Sequence, residues 1–143
     1  MLSIIIPVYN EEEIIQSFHE ELTGKLDSSG IEYELVYVND GSTDGSLRKL
    51  SETGARVISL DYNRGYGAAI KTGIRRSRGE WVAIIDCDGT YDPADLVKLY
   101  NERGERDMVI GRRPGEKWLR GLVKWFLQGI ASYAVGGRIL DPR

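Results

Sequence analysis

Residues 2–8 read LSIIIPV, an apolar run without the polar alternation of a strand that has one face in water. Continuous runs of this kind are typical of parallel strands that helices cover on both faces. Shorter apolar runs follow along the chain and alternate with longer amphipathic stretches. This order predicts right-handed crossovers and a mostly parallel sheet, so we expect an α/β fold.

The other elements are predicted outward from this first strand. Predicted strands cover Tyr33–Asn39, Ala55–Leu60, Trp81–Ile85 and Asp107–Ile110. Predicted helices cover Glu11–Leu26, a short stretch from the turn Gly41–Asp44 to Glu52, Tyr66–Ser77, and Pro93–Glu102. The first helix would carry acidic residues in its first turn, where the helix dipole favours them. Asp92 is the expected N-cap of the last helix, because Pro93 suits the first helical position and Asp95 lies three residues after the cap.

Composition limits the classes of function. The 143 residues suit a single domain, and the net charge of -3 gives no reason to expect a nucleic-acid partner. The one cysteine rules out an internal disulfide and favours a reducing compartment, so we expect a cytoplasmic protein. The one histidine, His19, excludes a histidine-rich metal site and disfavours a Ser-His-Asp triad.

The character of the chain changes after Gly111. Basic side chains are interleaved there with apolar ones at helical spacing, which predicts an amphipathic helix; they are Arg112, Arg113, Lys117, Arg120 and Lys124. Two interpretations stay open: a helix that packs on the sheet, or one that lies on a membrane surface or binds an acceptor. No apolar run reaches the roughly 20 residues that span a bilayer, so any membrane association is expected to be peripheral, at the cytoplasmic face. Since no capping element follows Leu140–Arg143, we expect one domain, residues 1–143, cut short at its C-terminal end.

Polar residues follow the first four predicted strands. They are Tyr9, Asn10 and Glu11 after the first, Asn39, Asp40, Ser42 and Asp44 after the second, Asp61, Asn63, Arg64 and Gly65 after the third, and Asp86, Asp88 and Thr90 after the fourth. Open parallel sheets bind ligands beyond the carboxyl ends of their strands, so this edge is the predicted site. The turn after the first strand lacks the G-x-G-x-x-G fingerprint, and no G-x-x-x-x-G-K-[ST] sequence occurs. A hydride-transfer enzyme and a P-loop NTPase are therefore disfavoured.

The most informative segment is residues 84–90, IIDCDGT. In extended chain the side chains of Asp86 and Asp88 point the same way, since side chains alternate with period two. Two adjacent carboxylates repel each other unless a cation lies between or beside them, and oxygen ligands suit Mg²⁺ or Mn²⁺. The alternative is a pair of turn carboxylates that cap the next helix, although Asp92 is better placed for that.

Two enzyme families contain a segment of nearly this form. Haloacid-dehalogenase-type phosphatases use D-x-D-G-T with Mg²⁺, but their motif closes the first strand, whereas Asp86 follows the fourth predicted strand. Glycosyltransferase family 2 fits the context better. Residues 4–11 (IIIPVYNE), 36–44 (VYVNDGSTD), 63–69 (NRGYGAA) and the D-x-D of Asp86 and Asp88 resemble its motifs in the expected order.

Within that family the chain looks most like the branch of dolichol-phosphate mannosyltransferases and polyprenyl-phosphate glycosyltransferases. Residues 109–113 (VIGRR) resemble the branch's G-S-R strand end, with Arg112 in place of the usual Ser, and residues 129–143 resemble the stretch that leads to its D-P-x-S-G-x-R segment. The resemblance implies a GT-A-type, Rossmann-like fold.

The resemblance also implies roles for single residues. Contacts to the nucleotide are implied for Pro7, Tyr9, Glu11, Val38, Asp40, Asp86, Cys87 and Asp88. Asp88 would be the principal metal ligand, joined by Asp86 and by Thr90, which replaces the Gln usual in the branch. Arg113 and Arg120 match arginines that meet donor or acceptor phosphates and join Asp86 and Asp88 as the implied catalytic residues.

The implied reaction is a metal-dependent, inverting transfer of a sugar from a GDP- or UDP-sugar to a polyprenyl phosphate such as dolichyl phosphate. Such an acceptor needs no general base, because a phosphate with a second pKa of about 6 is mostly ionised at pH 7. The alternatives are the Mg²⁺-dependent phosphatase and a nucleotide-binding module without turnover.

Overall fold

The structure, a computed structural model, describes residues 1–104 and 106–111. Strands and helices alternate along this part of the chain: β1 (Leu2–Val8), α1 (Ile15–Ser29), β2 (Tyr33–Asn39), α2 (Ser46–Glu52), β3 (Arg56–Ser59), α3 (Tyr66–Arg76), β4 (Trp81–Ile84) and α4 (Pro93–Asn101). The strands form a sheet of order β3-β2-β1-β4, and every strand pair in it is parallel. The predicted α/β class is therefore confirmed.

Strand β1 explains why the chain opens with an unbroken apolar run. It pairs with β2 along one edge and with β4 along the other, and nearly all of its side chains are buried. Ile4 and Ile6 belong to the larger core, beneath α1, α2 and α4, whereas Ile5 belongs to a smaller core beneath α3. Alternate residues of one strand thus fill two separate layers, and its one serine, Ser3, is buried with its hydroxyl donating to Glu34.

Helix α3 lies unusually close to the sheet because Gly73 has no side chain. A Cβ at that position would collide with the side chain of Ile5 and press on that of Val38. Ala69, one turn earlier, is fully buried in the same layer. These small residues let α3 run down the sheet from the carboxyl edge, where Tyr66 begins it.

Two elements differ from the prediction. Helix α1 begins at Ile15 rather than Glu11, and no acidic residue lies in its first turn. The amide of Glu11 instead donates to Ser46, the first residue of α2, and the amide of Glu12 donates to Asp44 in the β2–α2 loop, so tertiary hydrogen bonds hold the residues before α1.

The strand predicted at Asp107–Ile110 was wrong, because these residues pair with no strand in the described part of the chain. Met108 and Ile110 are 73% and 66% exposed there. An apolar run becomes a strand only when its backbone groups find a partner, and here they do not.

Two further expectations concern the last described helix and the residues after it. Asp92 caps α4 as predicted: its side chain accepts from the amide of Ala94, and Pro93 is the first helical residue. The amphipathic helix predicted after Gly111 lies outside the described residues, as do Arg112, Arg113 and Arg120. Among the residues that are described, no helix has the length and apolarity needed to cross a membrane.

Candidate active site

The carboxyl ends of the parallel strands bring the predicted polar segments to one edge of the sheet. Strands β1 and β2 run in register, with Pro7 opposite Val38 and Val8 opposite Asn39, and β4 lies on the other side of β1. The loops that follow β1, β2 and β4 are therefore neighbours, although they are far apart in sequence. This edge is the predicted place for a ligand in such a sheet.

The β1–α1 loop is tied to the β2–α2 loop by hydrogen bonds between side chains and backbone. Asn10 has the left-handed backbone conformation, with φ of 57°, and its amide donates to Ser42 Oγ over 3.0 Å. The amide of Thr43 donates in return to Asn10 Oδ1 over 2.8 Å. These reciprocal bonds hold the chain reversal after β1 against the end of β2.

A second set of bonds joins the same two loops through Ser46 and Asp44. The buried hydroxyl of Ser46 accepts from the amide of Glu11 over 2.8 Å. Asp44 accepts from the amides of Ser46 (2.9 Å) and Glu12 (3.3 Å), one at each carboxylate oxygen. Partial burial alone would raise the pKa of Asp44, but these hydrogen bonds hold it below its usual value.

Asp40 ties the end of β2 to the β3–α3 loop. Its carboxylate is 3% exposed and accepts from the amides of Arg64 and Gly65, each over 2.8 Å. Gly65 has a φ of 90°, a conformation that suits glycine, and it directly precedes α3. Asp40 thus fixes where α3 begins.

The segment after β4 carries the paired carboxylates. Asp86 is half-buried, and its Oδ1 accepts from the hydroxyl of Tyr66 over 2.8 Å. Asp88 is exposed, and its Oδ1 accepts from the amide and the hydroxyl of Thr90, over 2.9 and 2.6 Å. Between them Cys87 is buried, and burial, with the charges of Glu11 and Asp88, raises the pKa of its thiol to about 12. That thiol is no nucleophile at neutral pH.

Negative charge accumulates where these loops meet. Burial raises the pKa of Glu11, and the charges of Asp88 and Asp44 raise it further. The effect places carboxylates from the ends of β1, β2 and β4 within electrostatic range of one another. A ligand that relieves this repulsion must carry positive charge.

These residues suit a divalent cation that takes only part of its ligands from the protein. The donors are carboxylate oxygens, which Mg²⁺ and Mn²⁺ prefer. Within residues 1–104 and 106–111, however, no group of three His, Cys, Asp or Glu side chains is close enough to hold a metal ion. The residues therefore fit a cation that takes one or two carboxylates from the protein and completes its coordination with phosphate oxygens and water, as Mg²⁺ commonly does.

The predicted nucleotide contacts occupy different environments at this edge. Pro7 is half-buried, and Tyr9, the residue directly after β1, is exposed. Val38 is fully buried beneath α3 with Val36 and Ile5, so a contact from it to a ligand would involve its backbone. These contacts stay predictions, as do the metal-binding role of Thr90 and the roles of Arg113 and Arg120, which lie outside the described residues.

Two residues that sequence reasoning missed are central to the geometry. Ser46 was included only in a predicted helix, and its buried hydroxyl could not be foreseen because its partner, Glu11, is distant in sequence. Tyr66 was predicted to begin the third helix, which is correct. Its position directly after Gly65, at the carboxyl edge, was the available signal that its hydroxyl could reach the site.

Comparison with known proteins agrees with this geometry. The profile of glycosyl transferase family 2 matches residues 3–140. The chain is 32% identical to dodecaprenyl-phosphate galacturonate synthase of Rhizobium johnstonii, covering 94% of this chain and 42% of that protein. It is 30% identical to undecaprenyl-phosphate 4-deoxy-4-formamido-L-arabinose transferase of Edwardsiella ictaluri, covering 98% and 46%. The chain thus spans less than half the length of these relatives.

A solved structure extends the comparison to the fold. Glucosyl-3-phosphoglycerate synthase of Mycobacterium tuberculosis, solved with Mn²⁺, UDP and glucosyl-3-phosphoglycerate, superposes with a TM-score of 0.61 at 28% identity. The match covers 71% of this chain and 38% of that one. The predicted GT-A-type fold is confirmed, and the phosphatase alternative is not favoured, since Asp86 follows β4 rather than β1.

Proposed function

This chain belongs to glycosyltransferase family 2, and we propose that it binds a nucleoside-diphosphate sugar and transfers the sugar to a polyprenyl phosphate. The observation that carries the proposal is that Glu11 lies within electrostatic range of Asp88 and Asp44 at the carboxyl edge of a parallel sheet, with Asp86 two residues before Asp88. These acidic groups would face a cation and a diphosphate there. Because the chain spans under half of its relatives, the proposal concerns the part of the enzyme that holds the donor.

The donor half of the proposal rests on the chemistry of this edge. Asp86 and Asp88 supply carboxylate oxygens, and Tyr9, directly after β1, is an exposed aromatic residue on which a base or ribose could stack. The synthase of M. tuberculosis was solved with UDP and Mn²⁺, which supports a nucleoside diphosphate as the ligand class. Uridine and guanosine both remain candidates for the base.

The proposed reaction needs charge stabilisation at the departing diphosphate. A bound Mg²⁺ or Mn²⁺ neutralises negative charge that grows on the diphosphate as the sugar leaves. On the protein side, Asp88 and Asp86 would hold the cation, and Arg113 and Arg120 would meet the phosphates of the donor. Direct attack on the opposite face of the anomeric carbon inverts the configuration.

A polyprenyl phosphate is the proposed acceptor. Both relatives have a polyprenyl phosphate in their names, and they align with nearly the whole of this chain. An acceptor phosphate is mostly ionised at pH 7, with a second pKa of about 6, so it attacks without a general base. The lipid would bring the reaction to a membrane surface, which supports a peripheral site of action.

Calorimetric titration of UDP and of GDP, with Mn²⁺ and with EDTA, tests the proposal. We expect one nucleotide to bind in Mn²⁺ and Asp88→Asn to weaken that binding at least tenfold, as expected for loss of a charged metal ligand (about 1.4 kcal/mol or more). Asp95→Asn is the matched control, because Asp95 is an exposed aspartate of α4 paired with Lys98. Failure of both nucleotides to bind the folded chain in Mn²⁺ would contradict the proposal.

Binding must then be separated from turnover, because a nucleotide-binding module without activity is the remaining alternative. The measurement is transfer of labelled sugar from the preferred donor to undecaprenyl phosphate in detergent. Formation of the lipid-linked sugar supports the transferase. Binding of nucleotide without transfer to this acceptor supports the module instead.

A further inference from the structure

Tyr66 makes one contact at the candidate site that packing does not explain. The residue opens α3, and its hydroxyl donates to Asp86 Oδ1 over 2.8 Å. Its side chain is 56% exposed, so burial of the ring is not its main role. The contact links α3 to the end of β4 across 20 positions of sequence.

Two hydrogen bonds to Asp40 fix the backbone directly before Tyr66. The amides of Arg64 and Gly65 both donate to the buried carboxylate of Asp40. The positive φ of Gly65 then turns the chain into α3 at the next residue. Tyr66 is therefore presented toward β4 by a fixed loop, which is what an orienting group requires.

The hydroxyl of Tyr66 acts as the donor of this pair. An ordinary tyrosine, with a pKa of about 10, keeps its proton at neutral pH, and a carboxylate can only accept. Among the described residues, the hydrogen bond to the Asp86 carboxylate comes from Tyr66, and removal of this hydroxyl takes that bond away.

We propose that Tyr66 is a positioning residue that orients the carboxylate of Asp86 toward the divalent cation of the donor complex. The inference rests on the proposed function, since it assigns a task to Asp86 at that site. Carboxylates that ligate metals are generally held by a hydrogen bond from a second residue, and loss of that residue weakens metal binding. Tyr66 supplies such a bond to Asp86 from outside its own strand.

Tyr66→Phe tests the proposal, since it removes the hydroxyl and keeps the ring. The measurement is the Mn²⁺ concentration that gives half-maximal binding of UDP or GDP, by calorimetry on the full chain. We expect this concentration to rise about tenfold, the lower end of the range for residues that support metal ligands. Excess Mn²⁺ should restore nucleotide binding, which would not happen if the substitution had damaged the fold.

Tyr62→Phe is the matched control. Tyr62 is a neighbouring tyrosine, 63% exposed, whose ring lies under the Arg64 guanidinium at 5.5 Å. We expect it to bind Mn²⁺ and nucleotide as the unmodified chain does. An equal shift in both variants, an unchanged value for Tyr66→Phe, or a loss that excess Mn²⁺ does not restore would overturn the positioning role.

The binding measurements also distinguish failure of the positioning role from failure of the proposed function. If the unmodified chain binds nucleotide with Mn²⁺, Asp88→Asn weakens binding and Tyr66→Phe does not, the positioning role fails alone. If the unmodified chain binds neither nucleotide, the proposed function and the positioning role fail together.

Discussion

Two pairs of aspartates lie at the same edge of the sheet and are held in different ways. Asp40 and Asp44 accept backbone amides at both carboxylate oxygens and so join separate loops. Asp86 accepts the hydroxyl of an exposed tyrosine, and Asp88 accepts from Thr90 two residues further along. The first pair holds the loops of the site together, whereas the second pair is the one that we propose to meet the ligand. Position at a strand end therefore does not by itself make an aspartate functional.

The largest expected effect concerns the turn after Asp40. Gly41 and Gly54 have nearly equal φ angles, 67° and 71°, but a Cβ on Gly41 would collide with the backbone of Tyr62, whereas one on Gly54 would meet nothing. We expect Gly54→Ala to lower the free energy of unfolding by about 1 kcal/mol, the cost of a left-handed residue. Gly41→Ala should lose about 3 kcal/mol, because overpacking against backbone adds to that cost.

Urea denaturation of both variants gives the comparison directly. Equal losses would show that the β2–α2 turn can move away from Tyr62. Our inference that Asp40 and Asp44 hold this turn rigidly would then be wrong.

Asp40→Asn should have the next largest effect on stability. The side-chain amide of Asn can accept from only one of the two backbone amides and presents its own N–H groups to the other, and loss of a hydrogen bond to a charged acceptor costs about 2 kcal/mol. Asp61→Asn is the control, since Asp61 is exposed in the same β3–α3 loop. A chemical denaturation midpoint for Asp40→Asn equal to that of the control would place Asp40 with the ligand-binding pair.

Asp88→Asn should change nucleotide binding and leave the stability of the fold nearly unchanged. We expect its free energy of unfolding to stay within about 0.5 kcal/mol of the unmodified chain, as for exposed positions, while nucleotide binding is lost. Denaturation and calorimetry on the same preparation measure both effects. A loss of stability as large as that of Asp40→Asn would remove the distinction between the two pairs.

The smallest expected effect is on pH dependence. The pKa of Glu11 is raised in the folded chain, so between its unfolded and folded values the folded chain binds more protons than the unfolded chain. The free energy of unfolding therefore falls as the pH rises through that window. Glu11→Gln should remove this fall and raise the stability at pH 7 by less than about 1 kcal/mol. Thermal unfolding at several pH values checks it, and a steeper fall in the variant would contradict the repulsion that we assign to Glu11.

Sequence reasoning located the strands well and the side-chain roles less well. Leu2–Val8 and Tyr33–Asn39 have the predicted bounds, because burial on both faces leaves a pattern that needs no tertiary knowledge. The start of α1 was misplaced, since Ser46 and Asp44 bind the amides that would have opened the helix. The strand at Asp107–Ile110 was wrong because a strand depends on a partner that local sequence does not reveal.

The same limit applies to the site. The polar residues after the predicted strands placed Asp40, Asp86 and Asp88 at one edge of the sheet, and the fold agrees with that. Whether a carboxylate is bound by amides from another loop depends on contacts that are 24 or more positions away, as for Asp40 and Arg64. Tyr66 was overlooked for the same reason, since its partner Asp86 lies beyond the helix that it opens.

The buried thiol of Cys87 can report on the segment that contains Asp86 and Asp88. The chain has one cysteine, it is 2% exposed, and its pKa is about 12, so alkylating reagents reach it only when the segment opens. The rate of alkylation of Cys87 therefore measures how often the segment after β4 opens locally. Such an opening is a separate event from unfolding of the whole chain. A nucleotide that closes over this edge would slow the labelling, so one mass measurement on unmodified protein could follow ligand engagement in a crude extract.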